Sequence, residues 1–274
     1  MKSAQGADPA IATQRNATGL VAGGLIGSLG GLIGLGGAEF RLPVLKGVFR
    51  LATLEAVIFN KAMSLLVVAA ALLARSGSIS WGELFTHLPI VLNLLAGSLI
   101  GAWLAAGKAI HLPEKLLNTL IMLLLVGLAL LLIAEQVFHL VPSGEAWFAS
   151  PLAQGIAGVV AGFFIGVVAA LLGVAGGELL IPTIVLLWGV DIKLAGSLSL
   201  AVSLPTMIVG FIRYREAAAF EVLKRERTLF VFMAAGSVLG AILGGMLLGS
   251  VPTDWLVIGL AVILLISAVK VFKY

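Results

Sequence analysis

Residues 34–43 of the chain form the stretch GLGGAEFRLP. It places three glycines, a glutamate, an arginine and a proline within ten residues of a chain that is otherwise very apolar. A related stretch, GVAGGELLIP, covers residues 173–182. Four residues recur between the two: Gly34, Gly37, Glu39 and Pro43 return as Gly173, Gly176, Glu178 and Pro182. Charged residues beside residues that break helices are unusual in so apolar a chain. Their recurrence in a second stretch indicates a structural or functional role.

The composition predicts an integral membrane protein. Of 274 residues, 61% are hydrophobic and 11% are charged, and the mean hydropathy is +1.17, whereas soluble domains carry about 25% charged residues. Residues 116–134 contain no charge, and such a run is long enough to cross a hydrocarbon core of about 30 Å. No alternating ten-residue pattern indicates an outer-membrane barrel. The absence of cysteine excludes disulfides and thiolate-held metals.

An internal repeat organises the chain. With an offset of 139 residues, eleven of 25 positions between 19 and 43 are identical to their partners. The same ungapped register pairs Pro113 with Pro252. We therefore predict four regions, namely a cytoplasmic N-terminal tail (1–17), transmembrane repeat 1 (18–135), an extracytoplasmic linker (136–153) and transmembrane repeat 2 (154–274).

Each repeat contains five apolar segments, of which the second is short. The predicted segments are 18–36, 40–50, 54–74, 84–107 and 114–135 in repeat 1, and 154–175, 179–189, 193–212, 228–249 and 252–272 in repeat 2. Five crossings per repeat place 13 Lys and Arg residues inside and 2 outside, whereas four crossings give 10 and 5. The positive-inside rule therefore favours inverted repeats with both termini cytoplasmic. The predicted fold is all-α, with eight full transmembrane helices plus two short or broken ones.

The glycine-rich stretches predict paired helix breaks. Glycine permits a positive φ and proline removes a donor, so we expect a helix to end near 34–37 and a short helix to start near Pro43, with the same pattern at 173–182. Interrupted helices at corresponding positions of inverted repeats indicate a transporter binding site, and helix N-termini favour an anion there. The glycines assigned to this site are Gly34, Gly36, Gly37, Gly173, Gly176 and Gly177.

Glu39 and Glu178 leave three interpretations open. They carry protons coupled to substrate movement, they bond the unpaired N–H groups at the breaks, or they coordinate a cation. Arg41 has no symmetric counterpart, because Leu180 stands at the equivalent position. It is either the cation that recognises an anionic substrate, or an ion-pair partner of Glu39, or a snorkelling side chain.

The third segments add polar side chains to the candidate site. At helical spacing Asn60 and Ser64 share a face, and Ser199 and Ser203 do likewise; the alternative is interhelical hydrogen bonding and close packing. Lys61 is either a second anion contact or a residue that snorkels near the inner face. The small-residue stretches 97–101 and 236–240 are predicted to be helix-packing faces.

No metal or enzymatic motif accompanies these residues. His87, His111 and His139 stand apart without metal-binding spacing, and the chain lacks an HExxH motif. We therefore expect no metal, no cofactor and no catalytic residue, and the protein is not predicted to be an enzyme.

The duplicated motif resembles the sulfite exporter TauE/SafE family. The resemblance covers nearly the whole chain and includes AGSLSLAVSLP (195–205) and SGSISW (76–81); many members have aliphatic residues where Glu39 and Arg41 stand. It implies a prokaryotic cytoplasmic-membrane transporter of a small anion such as sulfite or sulfoacetate. We expect alternating access, with proton coupling through Glu39 or Glu178 as a hypothesis. The alternative is a cation transporter or channel with Glu39 and Glu178 as ligands.

The expected partners follow from this interpretation. They are a small anionic substrate and the lipid bilayer, with a second copy of the chain, as a homodimer, a further candidate. No nucleic-acid partner is expected.

Overall fold

The fold comes from a computed structural model that describes residues 9–33, 37–75, 81–138, 146–148 and 150–246. Every regular element in these ranges is helical, which confirms the all-α prediction. The helices are α1 (Pro9–Ile33), α2 (Ala38–Gly47), α3 (Thr53–Arg75), α4 (Trp81–Thr86), α5 (Leu88–Ala109), α6 (Glu114–Phe138), α7 (Pro151–Leu172), α8 (Gly177–Trp188), α9 (Ile192–Tyr214), α10 (Val222–Arg225) and α11 (Arg227–Met246), with a 3-10 turn at Ala218–Glu221 before α10.

Nine of the ten predicted segments coincide with helices, and the tenth, 252–272, lies outside the described residues. The first helix starts at Pro9 and so includes the second half of the predicted tail. Within the described residues, Leu88–Ala109, Pro151–Leu172 and Leu194–Tyr214 are long and apolar enough to cross a membrane. The bent pair Ala218–Arg225 and Arg227–Leu243, which turns by 70°, would make a fourth span.

The packing of the helices follows the repeat. Helix α1 lies along α11, and α7 lies along α5, so each first segment packs on the fourth segment of the other repeat. The third segments, α3 and α9, pack against each other. Each short helix packs on the third segment of its own repeat, α2 on α3 and α8 on α9. The two short helices are thereby held beside the central α3–α9 pair.

Glycines allow α1 and α11, and likewise α5 and α7, to approach each other closely. A β-carbon built on Gly27 would lie 2.2 Å from the carbonyl oxygen of Ser237, and one on Gly166 would lie 2.2 Å from that of Ser98. From the other side, a β-carbon on Gly240 would lie 2.0 Å from the Gly24 carbonyl oxygen. Only glycine, which has no β-carbon, fits such contacts. Close approach at small residues is common between membrane helices. The predicted packing faces at 97–101 and 236–240 are therefore confirmed.

Large apolar side chains lie both inside and outside this arrangement. Leu42, Phe59 and Leu172 belong to the larger buried cluster, which joins α2, α3 and α7. Leu25 and Phe164 are more than half exposed, at 65% and 62%. Exposed large hydrophobics on several long helices are unfavourable in water and favourable against lipid. The apolar helices and their exposed faces define a multi-pass membrane protein.

Candidate functional site

Each helix break is made by a glycine in the left-handed conformation. Gly37 has φ 66° and directly precedes α2, and Gly176 has φ 78° and directly precedes α8. The expectation that the short helices start near Pro43 is therefore wrong, because this turn lets each helix begin at once. Pro43 and Pro182 are the sixth residues of α2 and α8. A proline there removes the backbone bond to the carbonyl four residues earlier and crowds that carbonyl, yet both helices continue past it.

The end of α7 approaches α3 so closely that glycine is required at the break. Gly173 closes α7 with φ 69°, and a β-carbon on it would lie 2.5 Å from the carbonyl oxygen of Val57. Three side chains donate to the last carbonyls of α7. Asn60 reaches Leu172 at 3.0 Å, Lys61 reaches Ala169 at 3.1 Å, and the Tyr214 hydroxyl reaches Ala170 at 3.0 Å. The Asn60 bond gives the Leu172 carbonyl a donor, whereas the Ala169 and Ala170 carbonyls also accept backbone N–H bonds in the turn that closes α7.

The two symmetric glutamates meet at the centre. Glu39 and Glu178 are the second residues of α2 and α8, and their carboxyl groups lie close enough to interact with each other. The two side chains are only 3% and 6% exposed. Two buried carboxyl groups at close range repel each other when both are ionised, so this pair is a candidate to hold a proton.

Arg41 lies inside the same centre and points toward α3. Its guanidinium Nη1 donates to the Asn60 Oδ1 at 3.2 Å and to the Ser64 Oγ at 3.4 Å. Its charge also interacts favourably with that of Glu39. Because the side chain is fully buried, the snorkelling interpretation is wrong. The bonds to Asn60 and Ser64 confirm that these two residues share a face of α3.

Asn60 joins the two repeats at this point. Its amide Nδ2 donates to the Ala38 carbonyl at 2.9 Å, in the break of repeat 1, and to the Leu172 carbonyl, in the break of repeat 2. Its Oδ1 accepts from Arg41. One buried side chain therefore ties both helix breaks to the arginine.

Lys61 lies in the core and does not snorkel to the inner face. It is fully buried, and its ammonium donates to the Ala169 carbonyl of α7. A β-carbon on Gly210 of α9 would lie 3.2 Å from this nitrogen. The ammonium therefore occupies a position between α7 and α9, where its observed contact caps a helix.

The predicted residues of repeat 2 are bonded mainly to the backbone. Ser203 donates to the Ala175 carbonyl in the second break at 2.7 Å, and Ser199 donates to the Gly196 carbonyl of its own helix at 2.8 Å. A β-carbon on Gly177 would meet nothing within 4 Å. Of the predicted glycines, Gly34 and Gly36 lie outside the described residues.

A second polar cluster was missed from the sequence. Lys46 at the end of α2 donates to the Thr53 hydroxyl at 2.7 Å and to the Asn118 side chain of α6. Thr53 also donates from its hydroxyl to Glu114 at 2.9 Å. The cluster fixes the far end of α2 against α3 and α6. Its members are spread over 73 positions without a motif, and only the apolar setting of Lys46 and Asn118 could have drawn attention to them.

The histidines do not contribute to the centre. His87 directly precedes α5 and His111 lies between α5 and α6, whereas His139 lies outside the described residues. In the part of the chain that the structure describes, no group of three or more His, Cys, Asp or Glu side chains could hold a metal ion.

The fold and this centre together define a class of protein. A multi-pass helical membrane protein in which two interrupted helices bring their N-terminal ends together at a buried polar centre has the architecture of a membrane transporter. The chain belongs to the sulfite exporter TauE/SafE family, whose model matches residues 19–271 and thus includes both breaks. No curated protein and no solved structure matches the chain.

Proposed function

We propose that the protein is a secondary transporter that moves a small anion across the prokaryotic cytoplasmic membrane by alternating access. The observation that carries the proposal is the contact between Glu39 and Glu178, with the charge of Arg41 beside it. Equivalent residues of two repeats meet there at the start of two short helices. A central site between such halves is the arrangement that alternating access requires.

Two features of the centre suit an anion. Helices α2 and α8 direct their N-terminal ends to this point, and helix N-termini attract negative charge. Arg41 adds a full positive charge, and its planar guanidinium suits the oxygens of sulfite or a sulfonate. Asn60 and Ser64 hold the guanidinium from the side of α3. Family membership points to the same substrate class, a sulfur oxyanion or an organosulfonate such as sulfoacetate.

The burial of the centre implies movement. Glu39, Arg41 and Glu178 are closed off on all sides, so a substrate enters only if the packing around them opens. The proposed motion is a rocking of one inverted five-segment repeat against the other around α3 and α9. In this proposal the basic loop between α9 and α11 faces the cytoplasm, as do both termini, in agreement with the positive-inside rule.

Proton coupling through the glutamates is part of the proposal. Two buried carboxyl groups at close range disfavour double ionisation, so such a pair is suited to take up and release a proton. A change in its protonation changes the charge of the site by one unit, which is a direct way to couple proton and anion movement.

The test is transport by the purified protein in proteoliposomes. We expect uptake and exchange of radiolabelled sulfite, competed by sulfonates, and lost in Arg41→Ala. Arg225→Ala is the matched control, because Arg225 is an exposed arginine outside the centre and its loss should leave transport intact. Transport that is unchanged in Arg41→Ala would refute the placement of the site.

The same vesicles test the alternative function. If Glu39 and Glu178 were cation ligands, the protein would carry a cation flux that competing cations inhibit and that Glu178→Gln abolishes, with no response to anions. That result would replace the anion-transport proposal.

A further inference from the structure

Two apolar stripes on the outside of the protein each end in a basic residue. The stripes consist of large exposed side chains at helical spacing, Leu92, Ile100 and Leu104 on α5 and Ile208 and Ile212 on α9. The exposed Lys108 follows Leu104 by one turn, in the last turn of α5. The exposed Arg215 follows Ile212 and comes directly after the end of α9. The two helices pack against each other.

Arg213 of α9 connects the ends of these two helices. Its guanidinium lies over the ring of Trp103 on α5, 4.9 Å from the ring centroid. It also lies against the α5 backbone, because a β-carbon on Gly107 would be 2.9 Å from its Nε. Its Nη1 bonds the carboxylate of Glu216. The Arg213 side chain is still 26% exposed and Trp103 is 43% exposed, so a fixed cation and an aromatic ring lie together at the border of the apolar stripes.

The basic patch formed by Lys108, Arg213 and Arg215 has an excess of positive charge. Within the described part of the chain, the ion pair of Arg213 with Glu216 is the one that these three side chains make. The three cations and this carboxylate together carry a net charge of about two, by 3 − 1 = 2. Lys108 and Arg215 are therefore available to a ligand with negative charge.

The internal repeat provides a comparison for this patch. At the offset of 139 residues, Ile242 stands at the position equivalent to Trp103, and Ala74 stands at the position equivalent to Arg213. Ile242 is exposed, as Trp103 is, so the corresponding helix face exists in repeat 2 without the aromatic ring. The shared fold therefore does not require the contact between the ring and the guanidinium, which points to a role beyond packing.

We propose that the basic patch binds the headgroup of an anionic phospholipid whose acyl chains lie along the stripes of α5 and α9. The stripes offer apolar surface to the chains, and the cations offer partners to the phosphate. Trp103 lies between them, as tryptophan commonly does at a membrane interface. In the orientation proposed above this end faces the cytoplasm, and basic clusters on that side attract anionic lipids. A zwitterionic phospholipid has the same chains without the net charge, so headgroup charge distinguishes the two lipids.

The test is lipid competition measured by the fluorescence of Trp103 in the full-length protein. Brominated phosphatidylcholine quenches tryptophans in contact with lipid chains, and the part due to Trp103 is the difference between the wild type and Trp103→Phe. Unbrominated phosphatidylglycerol should restore this fluorescence at a lower mole fraction than unbrominated phosphatidylcholine. One cation near a membrane surface changes the affinity for an anionic lipid about fivefold, so two net charges predict a preference of about 5 × 5 = 25-fold.

The variants separate the patch from the general charge of the protein. Lys108→Gln should lower the preference about fivefold, and Arg213→Gln should lower it further, because it also leaves the charge of Glu216 unpaired. Arg15→Gln is the matched control, since Arg15 is a partly exposed arginine on α1, which packs on α11; it should keep the wild-type preference. If Arg213→Gln misfolds, the exposed Lys108 still provides the test.

Three outcomes would overturn the proposal. The first is equal affinity of the wild type for the two lipids. The second is a preference that both patch variants leave unchanged, or that persists in about 1 M sodium chloride, where charges are screened beyond about 3 Å. The third is loss of the preference in inorganic phosphate but not in chloride of equal ionic strength, which would make the patch a site for free anions. Each measurement is made without a transported substrate, so these outcomes leave the proposed function unaffected.

Discussion

The substitution Gly27→Ala tests the close crossing of α1 and α11. The new β-carbon would lie 2.2 Å from the Ser237 carbonyl oxygen, whereas ordinary contacts begin at 3.4 Å, so the helices must separate by the difference of 3.4 − 2.2 = 1.2 Å. Overpacking of this kind costs about 1–3 kcal/mol. Alanine also stabilises a helix by about 0.5–1 kcal/mol relative to glycine, and this gain has to be removed from the comparison.

Gly24→Ala supplies that correction, because Gly24 lies on the same helix and its β-carbon would meet the Gly236 carbonyl oxygen at 3.8 Å, an ordinary contact. The free energies of unfolding of the two variants, measured by circular dichroism in mixed detergent and SDS micelles, should differ by about 1–3 kcal/mol, with Gly27→Ala the less stable. Gly166→Ala should match Gly27→Ala, since its contact with the Ser98 carbonyl is the equivalent one. Equal stabilities of the Gly24 and Gly27 variants would refute the close crossing.

Three further predictions use the buried and surface polar contacts. Tyr214→Phe removes one of two donors to the Ala170 carbonyl, which keeps the backbone N–H of Gly173, and should lower the free energy of unfolding by about 0.5–1.5 kcal/mol; an unchanged stability would contradict its capping role. Asn60→Ala leaves two buried carbonyls without this donor, so it should destabilise more than Tyr214→Phe and weaken sulfite binding, and the two effects are measured by unfolding and calorimetry. Arg225 donates a hydrogen bond to Glu55 at 2.8 Å, and the pair is solvent-exposed on the arginine side. A double-mutant cycle with Glu55→Gln and Arg225→Gln should give a coupling below about 1 kcal/mol that disappears in high salt, and a larger, salt-resistant value would be inconsistent with a surface pair.

The sequence predicted the helix breaks because they are encoded locally and then repeated. A glycine directly before each short helix permits the left-handed turn that starts it, and the structure has that turn at Gly37 and Gly176. Glu39 and Glu178 are equivalent residues of the sequence repeat, and each is the second residue of its short helix. Their contact is the part of the site that follows most directly from the repeat.

Other contacts of the site could not be predicted, because the sequence does not show which groups pack against a given side chain. Helical spacing placed Asn60 and Ser64 on one face, but it could not show that Lys61, one residue later, would meet the end of α7. The acceptors of Lys61 and Tyr214 are backbone carbonyls. Every residue has a backbone carbonyl, so residue identity does not reveal such an acceptor. The start of the short helices was misjudged for a related reason, since proline tolerates the early turns of a helix as well as its first position.

The departure of Arg41 from the repeat has a physical reason in the charges of the core. The repeat duplicates the glutamates, yet Leu180 and Leu200 stand where symmetry would put a second arginine and a second lysine. Arg41 and Lys61 are both fully buried, and the bond from Lys61 to the Ala169 carbonyl does not cancel the charge of its ammonium, because a carbonyl is neutral. Repeat 1 therefore already supplies two buried cationic side chains to the core that holds the two buried glutamates. A further arginine or lysine from repeat 2 would add an uncompensated buried charge, which is costly in an apolar interior. The repeat is therefore kept where its residues form the helix breaks and abandoned where a second copy of a charge would have no partner.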